Sequence, residues 1–131
     1  MPRGGYNKLQ TGESCARQLY NNYKNRAKKR YYEWEIDFET FKNITKRDCF
    51  YCGEKPLQVQ YGFELNGVYV YNGIDRIDND EGYTIENIVA CCGDCNRIKT
   101  SKSTDEFFKK IKKIVDHCRS HPDLFAPYQF D

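Results

Sequence analysis

The chain has 131 residues, of which 39% are hydrophobic and 31% charged, and its formal net charge is +2 at pH 7. That length fits one domain with a modest core, and the absence of any run of about 18 apolar residues argues against a membrane-spanning helix. No apolar signal-type segment opens the chain, so a cytoplasmic protein is expected, in which the seven cysteines are metal ligands sooner than a disulfide framework.

Residues 1–12 carry Pro2, Gly4, Gly5 and Gly12 with few apolar residues and read as a flexible N-terminal arm; residues 13–131 read as a single domain. Ser14 is the expected cap of a helix running to about Tyr32. Its apolar positions Leu19, Tyr20, Tyr23, Ala27 and Tyr31 recur at steps of three and four, a stripe assigned to core packing. Asp37 caps a second short helix whose packing face is Phe38, Phe41 and Ile44, ending near Lys46. Over 57–72 the alternation Leu57, Val59, Tyr61 and Val68, Val70, with Asn66-Gly67 between, predicts a hairpin. An extended path through Ile74 to Ile77, a polar loop over 78–84, and a second strand with Ile85, Ile88 and Val89 on or beside it follow. A helix opens at Cys92. Ser103 or Thr104 caps the last one, whose stripe is Phe107, Ile111, Ile114, Val115 and Cys118.

Charge is unevenly placed. Arg17, Lys24, Arg26, Lys28, Lys29 and Arg30 cluster toward one end, Arg97, Lys99, Lys102, Lys109, Lys110, Lys112 and Lys113 toward the other, and Asp75, Asp78, Asp80, Glu81 and Glu86 form an acidic island between. Basic flanks around an acidic centre suit a polyanion gripped on both sides of a cation site. For the C-terminal cluster, a helix made Lys-rich for solubility is an equal alternative.

Cys49-x-x-Cys52 and Cys92-x-x-Cys95 are two tight turns that each bring two thiolates to one side, and together they supply the four soft ligands of a closed structural zinc site. Redox dithiols are the alternative. Cys91 neighbours Cys92 and could replace it, although the spacing to Cys95 favours Cys92; Cys15 and Cys118 read as ordinary buried thiols. Because such a site contributes on the order of 10–16 kcal/mol, the metal is expected to decide whether so thin a core folds.

Asn96 directly follows the last of these cysteines, so the staple fixes where its amide points, and a strand, loop, strand and helix in that order bring Asp75 opposite it. One carboxylate and one amide oxygen, completed by waters and phosphate oxygens, make a hard, open shell suited to Mg²⁺ or a similar ion. Both residues are expected to be dispensable for folding. Taken singly, Asp75 and Arg76 are a surface ion pair and Asn96 a knuckle residue bonded to backbone; at these joint spacings the site is the stronger reading.

Residues 45 to 115 or so resemble the HNH (ββα-metal, His-Me finger) endonucleases, in the subset with a four-cysteine zinc site. The resemblance implies that Asp75 is the metal aspartate, Asn87 the middle Asn that braces the loop, and Asn96 the second metal ligand. The chain departs from the family at Arg76, which occupies the place of the general-base His. Gly-x-Asp-Arg, then Gly-Tyr, then Cys-x-x-Cys-Asn-Arg-Ile-Lys is similar to the pattern of a rare-cutting restriction endonuclease of this fold. That similarity makes Arg76 a phosphate or transition-state clamp and Tyr83 a catalytic candidate.

An arginine stays protonated and cannot be the base. A phenol ordinarily titrates near about 10, roughly three units above neutrality. His117 belongs to a better-matched residue type but sits on the last helix beside its apolar stripe, so Tyr83 is the expected base. The reading is an α+β protein with a small zinc-stapled ββα-metal core and flanking helices, an endonuclease that hydrolyses phosphodiester bonds of double-stranded DNA. It implies structural Zn²⁺, catalytic Mg²⁺ or a similar ion, no membrane partner, and a phage-type, homing-type or restriction-type enzyme, acting in the host cytoplasm if phage-encoded. Monomer and homodimer both stay open. The rivals are a catalytically inactive zinc-ribbon module that binds nucleic acid, and a structural or protein-interaction zinc domain.

Overall fold

The computed structural model describes residues 11 to 128 and residue 130. Apart from Thr11 and Gly12, the arm expected over 1–12 therefore lies outside the described residues. Helix α1 (Glu13–Lys29) starts from Gly12, not from a Ser14 cap. Gly12 has φ 87°, and its N–H donates to the Asn66 carbonyl at 2.8 Å. A Cβ there would stand 2.3 Å from the Val68 carbonyl oxygen, so only glycine lets the helix start dock this closely on that loop. The helix stops at Lys29, short of Tyr32, because the chain turns left-handed at Tyr31.

Helix α2 (Phe38–Thr45) follows the expected Asp37 cap, whose carboxylate accepts the Thr40 N–H at 2.8 Å and is thereby held below the usual carboxylate range. The aromatic stripe of α1 is core, as its spacing suggests. Tyr20 meets Trp34, Phe38 and Phe41 edge-on with centroids 5.3–5.6 Å away, and its hydroxyl donates to the Ile36 carbonyl at 2.7 Å. Tyr31 is the exception, and lies exposed. Leu19, Phe41, Ile44, Ile74, Ile88 and Ala90 complete this core, each large apolar side chain contributing about 1.5–3 kcal/mol.

Two separate antiparallel strand pairs follow. β1 (Gln58–Gln60) pairs with β2 (Tyr69–Tyr71) in the register Gln58↔Tyr71, Val59↔Val70, Gln60↔Tyr69. The predicted hairpin exists, but Asn66-Gly67 is not a two-residue turn; it belongs to a longer loop whose Asn66 carbonyl receives α1. Its alternation is also inverted. Leu57, Val59, Tyr61, Val68 and Val70 face solvent, while Tyr69 turns inward and its hydroxyl meets Thr45 Oγ1 at 2.7 Å.

β3 (Gly73–Arg76) pairs with β4 (Ile88–Cys91) in the register Gly73↔Cys91, Ile74↔Ala90, Asp75↔Val89, Arg76↔Ile88. A single 3₁₀ turn, Ile85–Asn87, precedes β4, and α3 (Gly93–Lys99) follows it. Ile74, Ile88 and Ala90 face the core with Phe41 and Ile44. α4 (Thr104–Ser120) opens on a full capping box between Ser103 and Glu106. Its expected stripe is buried at Phe107 and Cys118, whereas Ile111 and Ile114 stay exposed. The helix is anchored by its first turn, where Thr104 N–H donates to the Ile77 carbonyl and Phe107 packs edge-on to Tyr51 at 5.3 Å.

Candidate functional site

The four-cysteine cluster sits where β4 runs into α3. Cys92 is the N-cap of α3, and its sulfur accepts the Cys95 N–H at 3.3 Å. The other pair comes from the turn after α2, which Phe50 N–H fastens to the Ala90 carbonyl and which the buried Asn72 amide holds from below by donating to the Arg47 and Glu54 carbonyls. The Sγ atoms of Cys49, Cys52, Cys92 and Cys95 all lie within 4.8 Å of one another, and Cys52 and Cys92 are 3.7 Å apart. Tetrahedral ligands at the usual zinc–sulfur length stand about 3.8 Å apart, so this donor set is compatible with zinc. Burial pushes the Cys49 thiol up, but N–H groups of Cys92, Cys52 and Tyr51 outweigh it and bring the thiol down to about 7. Cys91 stays out of the cluster: its thiol donates to the Cys92 carbonyl, and burial pushes its pKa up.

Beside the cluster, β3, the loop after it and α3 border a cleft of about 630 Å³. Asp75, Arg76, Tyr83 and Asn96 all line it. Asp75 is 10% exposed, and its Oδ2 accepts from the Tyr51 hydroxyl at 2.7 Å and from Lys99 Nζ at 3.1 Å. Neither Asp75 Oδ1 nor the Asn96 side chain has a hydrogen-bonding partner among the described residues. The hard oxygens left unbonded at the cleft are thus those a divalent ion prefers.

Arg76 is less free than a phosphate clamp need be. Its Nη1 donates to the Asn79 and Glu81 carbonyls at 2.8 and 2.9 Å, and its guanidinium lies 3.7 Å from the Tyr32 ring centroid. The Nε and Nη2 hydrogens remain for a ligand. Asn87 is buried and closes the loop: its Oδ1 accepts the Asp78 N–H, and its Nδ2 donates to the Asp78 and Gly82 carbonyls. Gly82 lies so close to the Glu33 backbone that a Cβ would come within 2.6 Å of the Glu33 carbonyl oxygen. This contact lets Tyr83 bridge to Trp34 and bring its ring 5.5 Å from the Arg76 guanidinium. His117 and His121 stack on each other at 4.5 Å near the end of α4 and do not line the cleft.

Several residues were missed from sequence. Lys99 looked like part of a basic surface cluster; its side chain is 0% exposed, and its ammonium donates to Asp75, the Arg76 carbonyl and the Lys102 carbonyl. Those bonds use all three of its hydrogens, so it positions Asp75 and has none to spare for a ligand. Asp75 is consequently tied into the fold, which corrects the expectation that it is dispensable for stability. Tyr51, inside the first Cys-x-x-Cys, also bridges to Thr104 Oγ1 at 2.6 Å. Burial and the neighbouring carboxylate push its pKa up, so it remains a donor. Arg26 and Arg30 of α1, which the charge pattern already put in the basic flank, line the cleft with Tyr23 and Tyr32. The i to i+3 step from Asn96 to Lys99 and the place of Tyr51 in the knuckle were the available signals.

The flanking charge divides. Arg26, Arg30 and Arg76 face the cleft, whereas Lys109 and Lys112 pair with Asp105 and Asp116 along α4, and Arg97 pairs with Asp94. In the C-terminal basic cluster, Lys109 and Lys112 are thus engaged in exposed ion pairs along α4 and do not line the cleft.

The chain is similar over 92% of its length, and 91% of the other chain's, to the rare-cutting HNH restriction endonuclease PacI, with a TM-score of 0.54 and 19% identity. The fold is HNH-like. An uncharacterized protein of Acanthamoeba polyphaga mimivirus is 40% identical over 86 residues, which are 66% of this chain and 14% of that protein's length. No family model matches the chain. Among the described residues no helix is long and apolar enough to cross a membrane.

Proposed function

We propose that this HNH-like chain is a metal-dependent endonuclease that hydrolyses phosphodiester bonds of double-stranded DNA. The observation that carries this reading is the pair of unbonded oxygen donors, Asp75 Oδ1 and the Asn96 amide, in one arginine-lined cleft at the end of the β3–β4 pair. Asp75 and Asn96 are the residues that would hold a divalent ion such as Mg²⁺. When bound, that ion supplies positive charge to the scissile phosphate and the departing 3′ oxygen. Lys99 and Tyr51 fix the Asp75 carboxylate by its Oδ2, leaving Oδ1 for the ion. Arg76, anchored by the loop that Asn87 braces, offers its remaining N–H groups to a phosphate oxygen. Tyr83 would act in its phenolate form, which takes the proton from the attacking water and becomes the neutral phenol; its hydroxyl has no partner among the described residues. Cys49, Cys52, Cys92 and Cys95 would hold a structural zinc, and Tyr51 and Asn96, next to these ligands in the chain, would be positioned with them.

The mimiviral similarity supports a viral origin, and a virus- or phage-type nuclease acting in the host cytoplasm is the reading we propose on that basis. The rival reading, a nucleic-acid-binding zinc module without catalysis, is favoured by the lack of a cleft histidine. Incubation with supercoiled plasmid and Mg²⁺ or Mn²⁺ separates them: nicked or linear product that Asp75→Asn abolishes supports the nuclease, and binding without cleavage supports the rival.

A further inference from the structure

The turn that closes α1 uses a residue its geometry does not favour. Tyr32 N–H donates to the Ala27 carbonyl at 2.9 Å and Tyr31 N–H to the Lys28 carbonyl at 3.1 Å, the paired bonds of a Schellman ending. In such an ending the residue at Tyr31's position is left-handed, and here φ is 63°. Glycine is the usual occupant, because a bulky side chain is strained in that region. Among the described residues nothing offsets the strain. The Tyr31 side chain is 95% exposed and makes no hydrogen bond, ring contact or ion-ring contact among the described residues. Folding thus explains the turn but not the tyrosine in it, and strain kept without intramolecular return points to a contact outside the molecule.

The position says what that contact is. Arg30 and Tyr32, on either side, both line the cleft with Arg26 and Arg76, so the Tyr31 backbone passes along its cationic rim while its ring stays outside the lining. Phe63 is also 91% exposed, but it belongs to the β1–β2 loop, which contributes nothing to the cleft. A rigid, wholly exposed aromatic ring beside arginines that attract phosphates has the character of a base-stacking platform. We propose that Tyr31 stacks its ring on an unpaired or extruded nucleobase of the DNA held in this cleft, since only such a base offers a free face; the inference rests on the nuclease reading. The arginines grip the backbone, and Tyr31 holds a base at the cleft edge.

The test is binding of a fluorescent duplex that carries a short single-stranded overhang, by anisotropy with no divalent ion added, across a salt series, together with thermal melting. Tyr31→Gly is expected to bind roughly 5- to 150-fold more weakly. Its dependence of log Kd on log salt should keep the wild-type slope, because a ring displaces no counterions, while Arg30→Ala should flatten that slope by about 1. Tyr31→Gly should also melt at or above the wild-type temperature, and Tyr31→Phe should bind like wild type. Equal binding by Tyr31→Gly and wild type, with Arg30→Ala weakened, overturns the stacking role and leaves the cleft reading intact. A Tyr31→Gly protein that melts below wild type overturns it too, since the ring would then serve the fold. A wild-type protein that binds no duplex overturns both.

Discussion

The two antiparallel strand pairs are alike in size and unlike in use. β1–β2 covers one side of α1 with Tyr69 and Tyr71 and leaves Val59 and Val70 in solvent. β3–β4 is buried along Ile74, Ile88 and Ala90, ends on one side at Asp75 and Arg76, and runs on the other into the cysteine cluster and α3. Both pairs are short ladders that would be marginal alone. What separates them is what is attached: β3–β4 has four converging cysteines at one end, a buried ion pair beside it and a braced loop at the other. A catalytic site needs side chains held to within a fraction of an ångström, and the proposed site lies where the fold makes its most specific contacts.

Breaking the clamp should have the largest effect. Cys52→Ser, or removal of the metal with a strong chelator, should abolish cooperative unfolding, since structural zinc contributes on the order of 10–16 kcal/mol and the cluster holds β4, α3 and the 49–52 turn together. Circular dichroism melts with and without chelator, alongside elemental analysis, test this. Well-folded protein carrying less than about one zinc per chain would refute the staple.

Next comes the carboxylate at the strand end. Asp75→Asn should lower plasmid cleavage by at least about 10²-fold, as loss of charge stabilisation at a reacting phosphate does elsewhere. Asp75→Ala should do the same and also destabilise by about 3–5 kcal/mol, because it strands the fully buried Lys99 ammonium. Asn96→Ala, whose side chain is exposed and unbonded, should lose cleavage and keep the wild-type melting temperature. Adding Lys99→Met to Asp75→Ala should recover part of the lost stability, a coupling that a double-mutant cycle measures; strict additivity would show that the pair does not interact.

Finer disturbance of the loop should follow. Tyr83→Phe should reduce cleavage without weakening DNA binding, and the wild-type rate should keep rising above about pH 7, with no plateau near about 6.5 of the kind a histidine base gives. A plateau there that disappears in His117→Ala would instead bring α4 into the active site. Gly82→Ala, which forces the loop off the Glu33 backbone, should cut cleavage several-fold by moving Tyr83 while leaving metal content unchanged.

How legible all this was from sequence differs between the pairs for a physical reason. Around β3–β4 the residue types carry their own geometry: two Cys-x-x-Cys turns converge on one point, and an Asn fixed to the second of them has little freedom. Around β1–β2 there was only a period of two, which separates the faces of a strand without saying which is inside. The apolar valines suggested the wrong face, because Tyr69 gains a buried hydrogen bond to Thr45 that alternation does not reveal. Lys99 was misread for a similar reason. Charge suggests exposure, and its burial depends on carboxylate and carbonyl partners that only the folded chain brings together. The start of α1 at Gly12 was hidden because its partner, Asn66, is distant in sequence.

The smallest expected effect lies on the outer face of the hairpin, and it tests whether that face is as idle as its exposure implies. Val59 and Val70 are directly paired and 48% and 46% exposed. Replacing both with threonine keeps the β-branched shape that suits a strand and swaps one methyl of each for a hydroxyl that water can solvate. Little apolar area is withdrawn from water at these positions, so little is lost, and stability should change by no more than about 0.5 kcal/mol per site. Plasmid cleavage should be unchanged, because no residue of this face borders the cleft. Tyr69→Phe on the opposite face is the control: it leaves the buried Thr45 hydroxyl short of a partner and should cost about 1–3 kcal/mol. If the valine pair proved as costly as Tyr69→Phe, the hairpin would be packed on its outer side as well, and the contrast between the two strand pairs would fail.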